Sequence, residues 1–552
     1  MSDQSRPRGL YRHPTRSEII EQAVAEGHDA DIPTAVGSLR KVPSNLSHPR
    51  PAKSPKLAAE AIATPADLEK GGLDSHSSDE ETEEQNGDED DPNVVFWDGP
   101  DDPENPLNWP AKKRWGTVAI VSGLTFLTPL ASSNFAPGVP EVMKDFHSTS
   151  DLLSGFMVSV YVLGFAFGPM IIAPLSEMYG RLPLYHSCTI LFLIFTIAAG
   201  VSTNMSMFIV FRFFMGTFGG APIVLGGGTI ADIVSREQRG TAMSVWMMGP
   251  TIGPCVGPII GGFLTEAKGW RWNFWLVAIV GGSFLLGAII LMKETSAPVI
   301  LERKAKRLRA ETGNPKLRSK LASDLSRKDL FKFSIVRPLR MLFLSPICFT
   351  ISVYMAITYS YLYILFTTFT SVFRTQYNWK GGIVGLSFLG LGLGSLIGQF
   401  IFTRYGNKIA HKHMARGDFV PEHRLYVMTG GAIILPTGFF LYGWSVQYHL
   451  HFMVPIIGTA LTGFGLLMVF MPATTYLVDV FTIHAASAMA ASTVLRSLCA
   501  AFIPLSSEKM YAAMGYGWGN SLLGFVGLAC MPIPFLFIKF GGRLRRRSTL
   551  KL

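Results

Sequence analysis

The chain has 552 residues, 48% of them hydrophobic and only 16% charged, with a mean hydropathy of +0.30, whereas an ordinary soluble domain carries about 25% charged residues. Its net charge of +10 is uneven: residues 1–108 hold 10 Lys+Arg and 23 Asp+Glu, a net of −13, leaving 39 and 16, a net of +23, for the rest. That distribution argues against a string of soluble domains and against nucleic-acid binding, and describes a lipid-embedded body behind an acidic tail.

Residues 1–108 are rich in Pro, Ser and charge, with nine acids in the thirteen positions 79–91. Such a segment buries too little apolar surface to offset its ordering entropy, so disorder is expected, either as a regulatory arm or as a spacer. No apolar stretch follows Met1, so no signal peptide is expected and the tail stays on the cytosolic side.

From residue 115 the apolar runs come at spanning length, about 20 residues each. Twelve are read: 115–137, 153–175, 184–203, 205–230, 241–263, 272–292, 342–366, 381–402, 425–444, 451–475, 485–507 and 518–540. The five cysteines, Cys188, Cys255, Cys348, Cys499 and Cys530, all fall inside these runs and none has metal-site spacing, which predicts buried free thiols. Basic residues gather in alternate connections. Lys112, Lys113 and Arg114 precede the first run. Residues 293–340 hold 14 Lys+Arg against 5 Asp+Glu, 403–424 hold Arg404, Lys408, Lys412, Arg416 and Arg424, and the end holds Arg543, Arg545, Arg546, Arg547 and Lys551. The positive-inside rule then places both termini and the 293–340 loop in the cytosol. A basic loop of this kind also suits anionic lipid.

The expected organisation is a disordered tail (1–108), a six-helix half (109–292), a basic loop (293–340), a second six-helix half (341–540) and a basic tail (541–552). Faint echoes link the halves: a Tyr-Gly and a base follow run 2 (Tyr179, Gly180, Arg181) and run 8 (Tyr405, Gly406, Lys408), and runs 4 and 10 end on Asp232 and Asp479, each with a glycine sixteen residues earlier, Gly216 and Gly463. Two-half repeats around a midplane cavity are the architecture of secondary transporters.

Three patterns carry a resemblance. The turn after run 2 reads GPMIIAPLSEMYGR over 168–181; run 4 contains RFFMGTFGG over 212–220; run 5 reads GPTIGPCVGPIIGG over 249–262. Over about 109–545 the chain resembles the major facilitator superfamily, in particular its fungal twelve-span drug:proton antiporters. The resemblance implies an all-α membrane protein of twelve transmembrane helices in two pseudo-symmetric six-helix halves. It implies a gating loop of Glu177, Gly180, Arg181, Asp232 and Arg239, in which Glu177 caps a helix of the other half and Arg181 pairs with Asp232. It gives Arg212 a part in proton coupling, and makes Gly253, Gly257, Pro258, Gly261 and Gly262 an antiporter motif whose expected partner is the glycine-rich run 8. The strings NPLNW (105–109), GWRWNFW (269–275) and ETSAP (294–298) read as family signatures and interfacial anchors. Run 5 departs at Ser244, where the longer motif has glycine, and the gating loop departs at Glu177, Met178, Leu182 and Pro183.

Tyr354, Thr358 and Tyr361 share one helix face by their spacing. With Asn134 and Tyr161 they are read either as an aromatic, weakly polar substrate cavity or as packing residues. No phosphate-binding glycine loop with Lys and Ser/Thr is present, and no catalytic constellation stands out, so neither an ATP-driven pump nor an enzyme is expected. The reading is a monomeric exporter of amphipathic small molecules, driven by a proton gradient with no cofactor, in the plasma or vacuolar membrane. A polyamine:proton antiporter, a nutrient importer and a non-transporting receptor are the alternatives.

Overall fold

The computed structural model describes residues 93–322 and 327–547. Positions 1–92, with the acidic stretch 79–91, lie outside the described residues, as do 548–552.

The body is helical and each span is bounded by local chemistry. Span 1 (Ala111–Ser133) is followed by span 2 (Asp151–Tyr179), which stops at Gly180, whose φ of 99° only glycine adopts easily. Span 3 (Arg181–Gly200) leads to span 4 (Met205–Ile233), which starts on a side-chain cap from Asn204 and bends at Gly220. Span 5 (Arg236–Lys268) contains three prolines and ends at Gly269 (φ 85°). Span 6 (Trp272–Leu291) closes the first half. The second half has span 7 (Pro346–Tyr377), span 8 within Gly381–Arg416, span 9 (Tyr426–Gln447) and span 10 (Met453–Phe481). Eleven helical runs among the described residues are long and apolar enough to cross a membrane, and the last, Ala485–Arg545, is 61 residues long. At 1.5 Å per residue it would reach about 90 Å if straight, three times a ~30 Å hydrocarbon core. It breaks at Gly515 (φ 73°, ψ 171°) and folds back as spans 11 and 12, making twelve crossings. The start of span 1, the end of span 12 and the central loop therefore share one end of the bundle, called here the terminal end; the other is the distal end.

The halves repeat in their packing. In the first, glycines let span 2 and span 4 touch backbone to backbone: a side chain at Gly216 would strike the Tyr161 carbonyl, and one at Gly164 the Thr217 amide. In the second, Gly463 lies on the Leu391 carbonyl, and Gly394 and Gly398 lie on those of Ala460 and Phe464. The ion pairs repeat as well. Arg181, the first residue of span 3, lies 2.6 Å from Asp232; Arg424, in the turn before span 9, lies 2.9 Å from Asp479. The partner of Asp479 is thus Arg424, which enters span 9 as Arg181 enters span 3.

The expected disorder of 1–108 is corrected for 93–108. Val94–Val95 forms a parallel strand pair with Arg318–Ser319 of the central loop. The loop helix Ala297–Thr312 carries Pro298 in its first turn and ends on Gly313 in the left-handed region. Lys304 on this helix is buried, 2.7 Å from Asp98 and 3.2 Å from the equally buried Asp102, while Arg307 meets Glu104 at 3.0 Å. Charge complementarity with the basic loop holds this acidic end of the tail.

Candidate functional site

Span 5 is the spine of the site. Its glycines 249, 253, 257 and 261 lie against span 1, not against span 8 as expected. A Cβ on Gly249 would sit 2.9 Å from the Phe126 amide nitrogen, one on Gly253 2.7 Å from the Phe126 carbonyl oxygen and one on Gly257 2.8 Å from that of Leu130; Gly261 lies directly on the Asn134 carbonyl. Ser133 Oγ donates to the carbonyl of Pro254 at 2.9 Å, an acceptor in the middle of the motif. Span 8 meets a different edge: Gly262 faces Gly382 and Gly385, and Pro258 faces Gly385. Span 5 is therefore a wedge between its own half and the other.

At the distal end the halves are stitched together. Ser132 and Tyr363 hydroxyls lie 2.9 Å apart, Thr370 Oγ1 donates to the Ala136 carbonyl, Arg374 donates to that of Pro137, Ser159 Oγ donates to that of Ala501, and the Gly382 N–H donates to Glu266. Behind them Phe135, Phe146, Phe208, Trp270 and Phe274 interlock, edge to face except for the tilted Phe146–Phe208 pair. Trp270, Asn273 and Phe274 are thus core residues of the seal; of the expected interfacial anchors in this string, Trp272 is exposed.

Arg212 is fully buried beneath this seal. Its Nε, Nη1 and Nη2 donate to the carbonyls of Met157, Ala131 and Ser132, at 3.3, 2.8 and 2.8 Å, and its guanidinium lies 4.4 and 4.8 Å from the rings of Phe135 and Tyr161. Among the described residues no carboxylate is within ion-pair distance of it. It pins spans 1 and 2 to span 4, next to the Ser132–Tyr363 contact.

The five residues read as a substrate cavity are enclosed by other helices in this conformation. Asn134 donates to the Asn273 carbonyl inside the distal seal, Tyr161 donates to that of Thr128, Thr358 to that of Tyr354 and Tyr361 to that of Leu523, and all five are buried. Their shared face turns into the helix bundle. The adjoining face of span 7 carries the partly open Tyr359 and, one turn on, Tyr363, with rings 5.4 Å apart. Tyr359 stacks on Phe470 of span 10 at 6.1 Å, and Arg496 of span 11 lies 5.1 and 5.0 Å from these two rings. Sequence reasoning missed Arg496, although a lone arginine in the apolar string AASTVLRSLCAAF gives the same signal that singled out Arg212.

At the terminal end, Arg181 holds Asp232, and Arg239 donates to the Ala231 carbonyl at the C-terminus of span 4, where a cation suits the helix dipole. Glu177 is exposed and has no hydrogen-bond partner among the described residues, so its expected cap on the other half is not formed in this conformation. The capping carboxylate is instead Glu294, whose oxygens accept from the N–H groups of Arg181 and Leu182 at 2.9 and 3.2 Å. ETSAP is a cap, not an interfacial anchor.

Residues 121–504 match the family model of the Major Facilitator Superfamily. The chain is 51% identical over 491 residues to the MFS-type transporter penM of Penicillium rubens, covering 89% of this chain and 94% of that protein. It is 49% identical over 495 residues to the efflux pump radE of Floropilus chiversii, covering 89% and 91%. Among solved structures, a partially occluded inward-open conformation of the xylose transporter XylE from E. coli aligns with a TM-score of 0.59 at 15% identity, over 78% of this chain and 98% of that one. A bacterial homologue of the human lysosomal transporter Spinster, inward-facing and unoccupied, covers 80% of this chain and all of its own at 14% identity and a TM-score of 0.55.

Proposed function

The chain belongs to the Major Facilitator Superfamily and is a multi-pass membrane transporter of small molecules, and from that premise we propose that it exports amphipathic organic compounds from the cytosol by alternating access, with proton entry as the drive. The observation that carries this reading is the wedge of span 5, which packs its glycines on span 1 and its Gly262 edge on span 8. Together with the distal hydrogen bonds it makes a seal at the distal end of the bundle. With the basic loops at the terminal end assigned to the cytosol, the sealed side is the outside, and the Tyr359–Phe470–Arg496 face is offered to the cytosol or inner leaflet. Rocking of the halves would then expose that face outward. The efflux pump radE is a relative in accord with this direction.

A proton falling through 100 mV supplies about 2.3 kcal/mol, enough to support concentrative export. The ionisable candidates to carry it, Glu177, Asp232, Asp479 and His186, all lie near the terminal ends of their spans. Arg212, bonded to three carbonyls, contributes by controlling the distal seal and not by passing the proton itself. The polyamine alternative is weakened by charge: the deep side chains of the two halves, Arg212 and Arg496, are both cations. The plasma membrane is the proposed location, as a monomer with both termini cytosolic and its basic surfaces against lipid headgroups.

The test is uptake into inside-out vesicles with an imposed pH gradient, using a panel of amphipathic aromatic compounds. Gradient-dependent accumulation that collapses with a protonophore is expected. Accumulation indifferent to the pH gradient would end the proton reading, and none for any compound would end the exporter reading. An epitope at the exposed Gly313 should be reached by antibody only after permeabilisation; labelling of intact cells would invert the topology.

A further inference from the structure

We propose that Arg496 is an anion-binding site in the transport path, and that the compounds exported are amphipathic organic acids carried as their anions; this rests on the export reading above. The argument begins with two arginines in the same bundle. Arg212 uses three nitrogens on backbone carbonyls. Among the described residues Arg496 has no hydrogen-bond or ion-pair partner, and its Nε is buried without one. A guanidinium has five N–H donors, and a charge left unpaired inside a membrane bundle is costly enough to mark function by default.

Arg496 is also placed to meet a substrate. It lies eleven residues after Ala485, where span 11 starts, and nineteen before Gly515, where the run folds back; eleven residues are about 16 Å of helix, which puts it near the middle of the bundle. Its side chain is only partly enclosed, whereas that of Arg212 is sealed. Two rings fix it from the sides: Tyr359, itself partly open, and Phe470. Cation–π contact of this kind holds a guanidinium plane without using its N–H groups. The result is a preset fork of donors beside aromatic surface, the complement of a carboxylate, enolate or phenolate carried on an aromatic or apolar skeleton.

Among the described residues no acid competes for it. Span 7 has no Asp or Glu from Pro346 to Tyr377, and span 11 has none from Ala485 to Phe502. The acid of span 10, Asp479, is nine residues beyond Phe470, about 13 Å along the helix, and is held by Arg424. On span 2, which packs on span 11, Asp151 and Glu177 lie at opposite ends. The missing partner at this depth is therefore supplied by the cargo. The same field rejects organic cations, which separates this protein from a polyamine carrier on electrostatic grounds.

The experiment uses the full chain in nanodiscs and a panel of aromatic carboxylic acids of increasing size, each paired with its uncharged methyl ester, 1-pyrenebutyric acid and its ester among them. Binding is read by fluorescence above the acid's pKa. At least one acid is expected to bind tenfold or more tightly than its ester. Arg496→Gln should erase that preference while leaving ester affinity within twofold, and Arg496→Lys should retain part of it. If no acid outbinds its ester, or Arg496→Gln keeps the preference, the anion site is overturned. Should Arg496→Gln fail to fold, the wild-type acid-to-ester ratio and Arg496→Lys still decide. Vesicle transport of the same pairs separates the two readings: export of acid and ester alike sinks the anion site but not the exporter, whereas Arg496-dependent acid binding without transport sinks the exporter but not the site.

Discussion

The carboxylate of Glu294 lies directly over the α-carbon of Gly180 and receives the N–H groups that open span 3. The same carboxylate accepts from its own neighbours, Thr295 and Ser296. The end of span 6, the start of span 3 and, through Arg181, the end of span 4 are thereby tied into one polar knot at the terminal end. Gly180 is required there twice, for its positive φ and because a side chain would occupy the place of the carboxylate.

Glu294→Ala leaves buried N–H groups of spans 3 and 6 without an acceptor. At about 1–3 kcal/mol for each such group, a loss of about 3 kcal/mol is expected, whereas Glu294→Gln, which keeps an acceptor oxygen, should lose about 1. Gly180→Ala should be at least as damaging as Glu294→Ala. Thermal unfolding in detergent ranks the three; a Glu294→Ala protein that melts with the wild type would show the cap to be idle.

The bracket between residues 93–108 and the loop helix has a pH signature. Burial pushes the Asp102 carboxyl up, but the N–H groups of Asp98 and Glu104 and the Lys304 ammonium outweigh it and hold the carboxyl below its ordinary value. Burial lowers Lys304, but Asp98 and Asp102 outweigh that and raise it. A depressed carboxylate contributes stability above its unfolded pKa of about 3.9 and loses it as pH falls through the lower folded value; a raised lysine contributes below about 10.4 and loses it as pH rises through the higher folded one. Hydrogen exchange in 297–312 should thus be flat across neutral pH, after correction for the intrinsic rate, and rise below about pH 4 and again above about pH 10. Lys304→Met leaves Asp102 buried and unpaired, at a cost of about 3–5 kcal/mol, and should deprotect the segment at pH 7. Unchanged protection would refute the bracket.

Span number, the two halves and the close approaches of glycine were legible because they are written in composition and period. What the period does not carry is which neighbour a face meets. Tyr354, Thr358 and Tyr361 do share a face, yet that face is covered by other helices, and the open one is a step round at Tyr359. The glycines of span 5 announce a close helix contact without saying that span 1 takes most of it. Glu294 stood in plain view after span 6, but its role depends on a turn more than a hundred residues earlier. The bracket was visible only as two opposite charge excesses, and which acids meet which bases was settled by tertiary packing.

Arg212→Met should destabilise as well as inactivate. Three carbonyls lose charged donors worth about 1.5–3 kcal/mol each, and Ser132, whose hydroxyl meets Tyr363, loses its anchor. The expected result is a lower melting temperature together with loss of both downhill and gradient-driven transport. If downhill transport and stability survive while gradient-driven transport disappears, Arg212 handles the proton itself and its control of the seal is the wrong account.

The two edges of span 5 can be told apart by substitution. A leucine at Gly257 pushes on Leu130 and Ser133 of its own half, so its overpacking cost, about 1–3 kcal/mol, falls on folding of the first half. A leucine at Gly262 pushes on Gly382 and Gly385 of the other half, and only the conformation in which the distal ends meet should suffer. An equilibrium between conformers within a few kcal/mol shifts strongly under that cost. Gly257→Leu is therefore expected to lower the melting temperature with little change in distal accessibility. Gly262→Leu should fold near normally while a cysteine placed at Thr370, in a background without the five native cysteines, becomes five- to tenfold more reactive from the distal side. Equal reactivity in Gly262→Leu and wild type would mean that the span 5–span 8 contact is ordinary packing and that the seal is held by the hydrogen bonds of spans 1, 2, 7 and 11 alone.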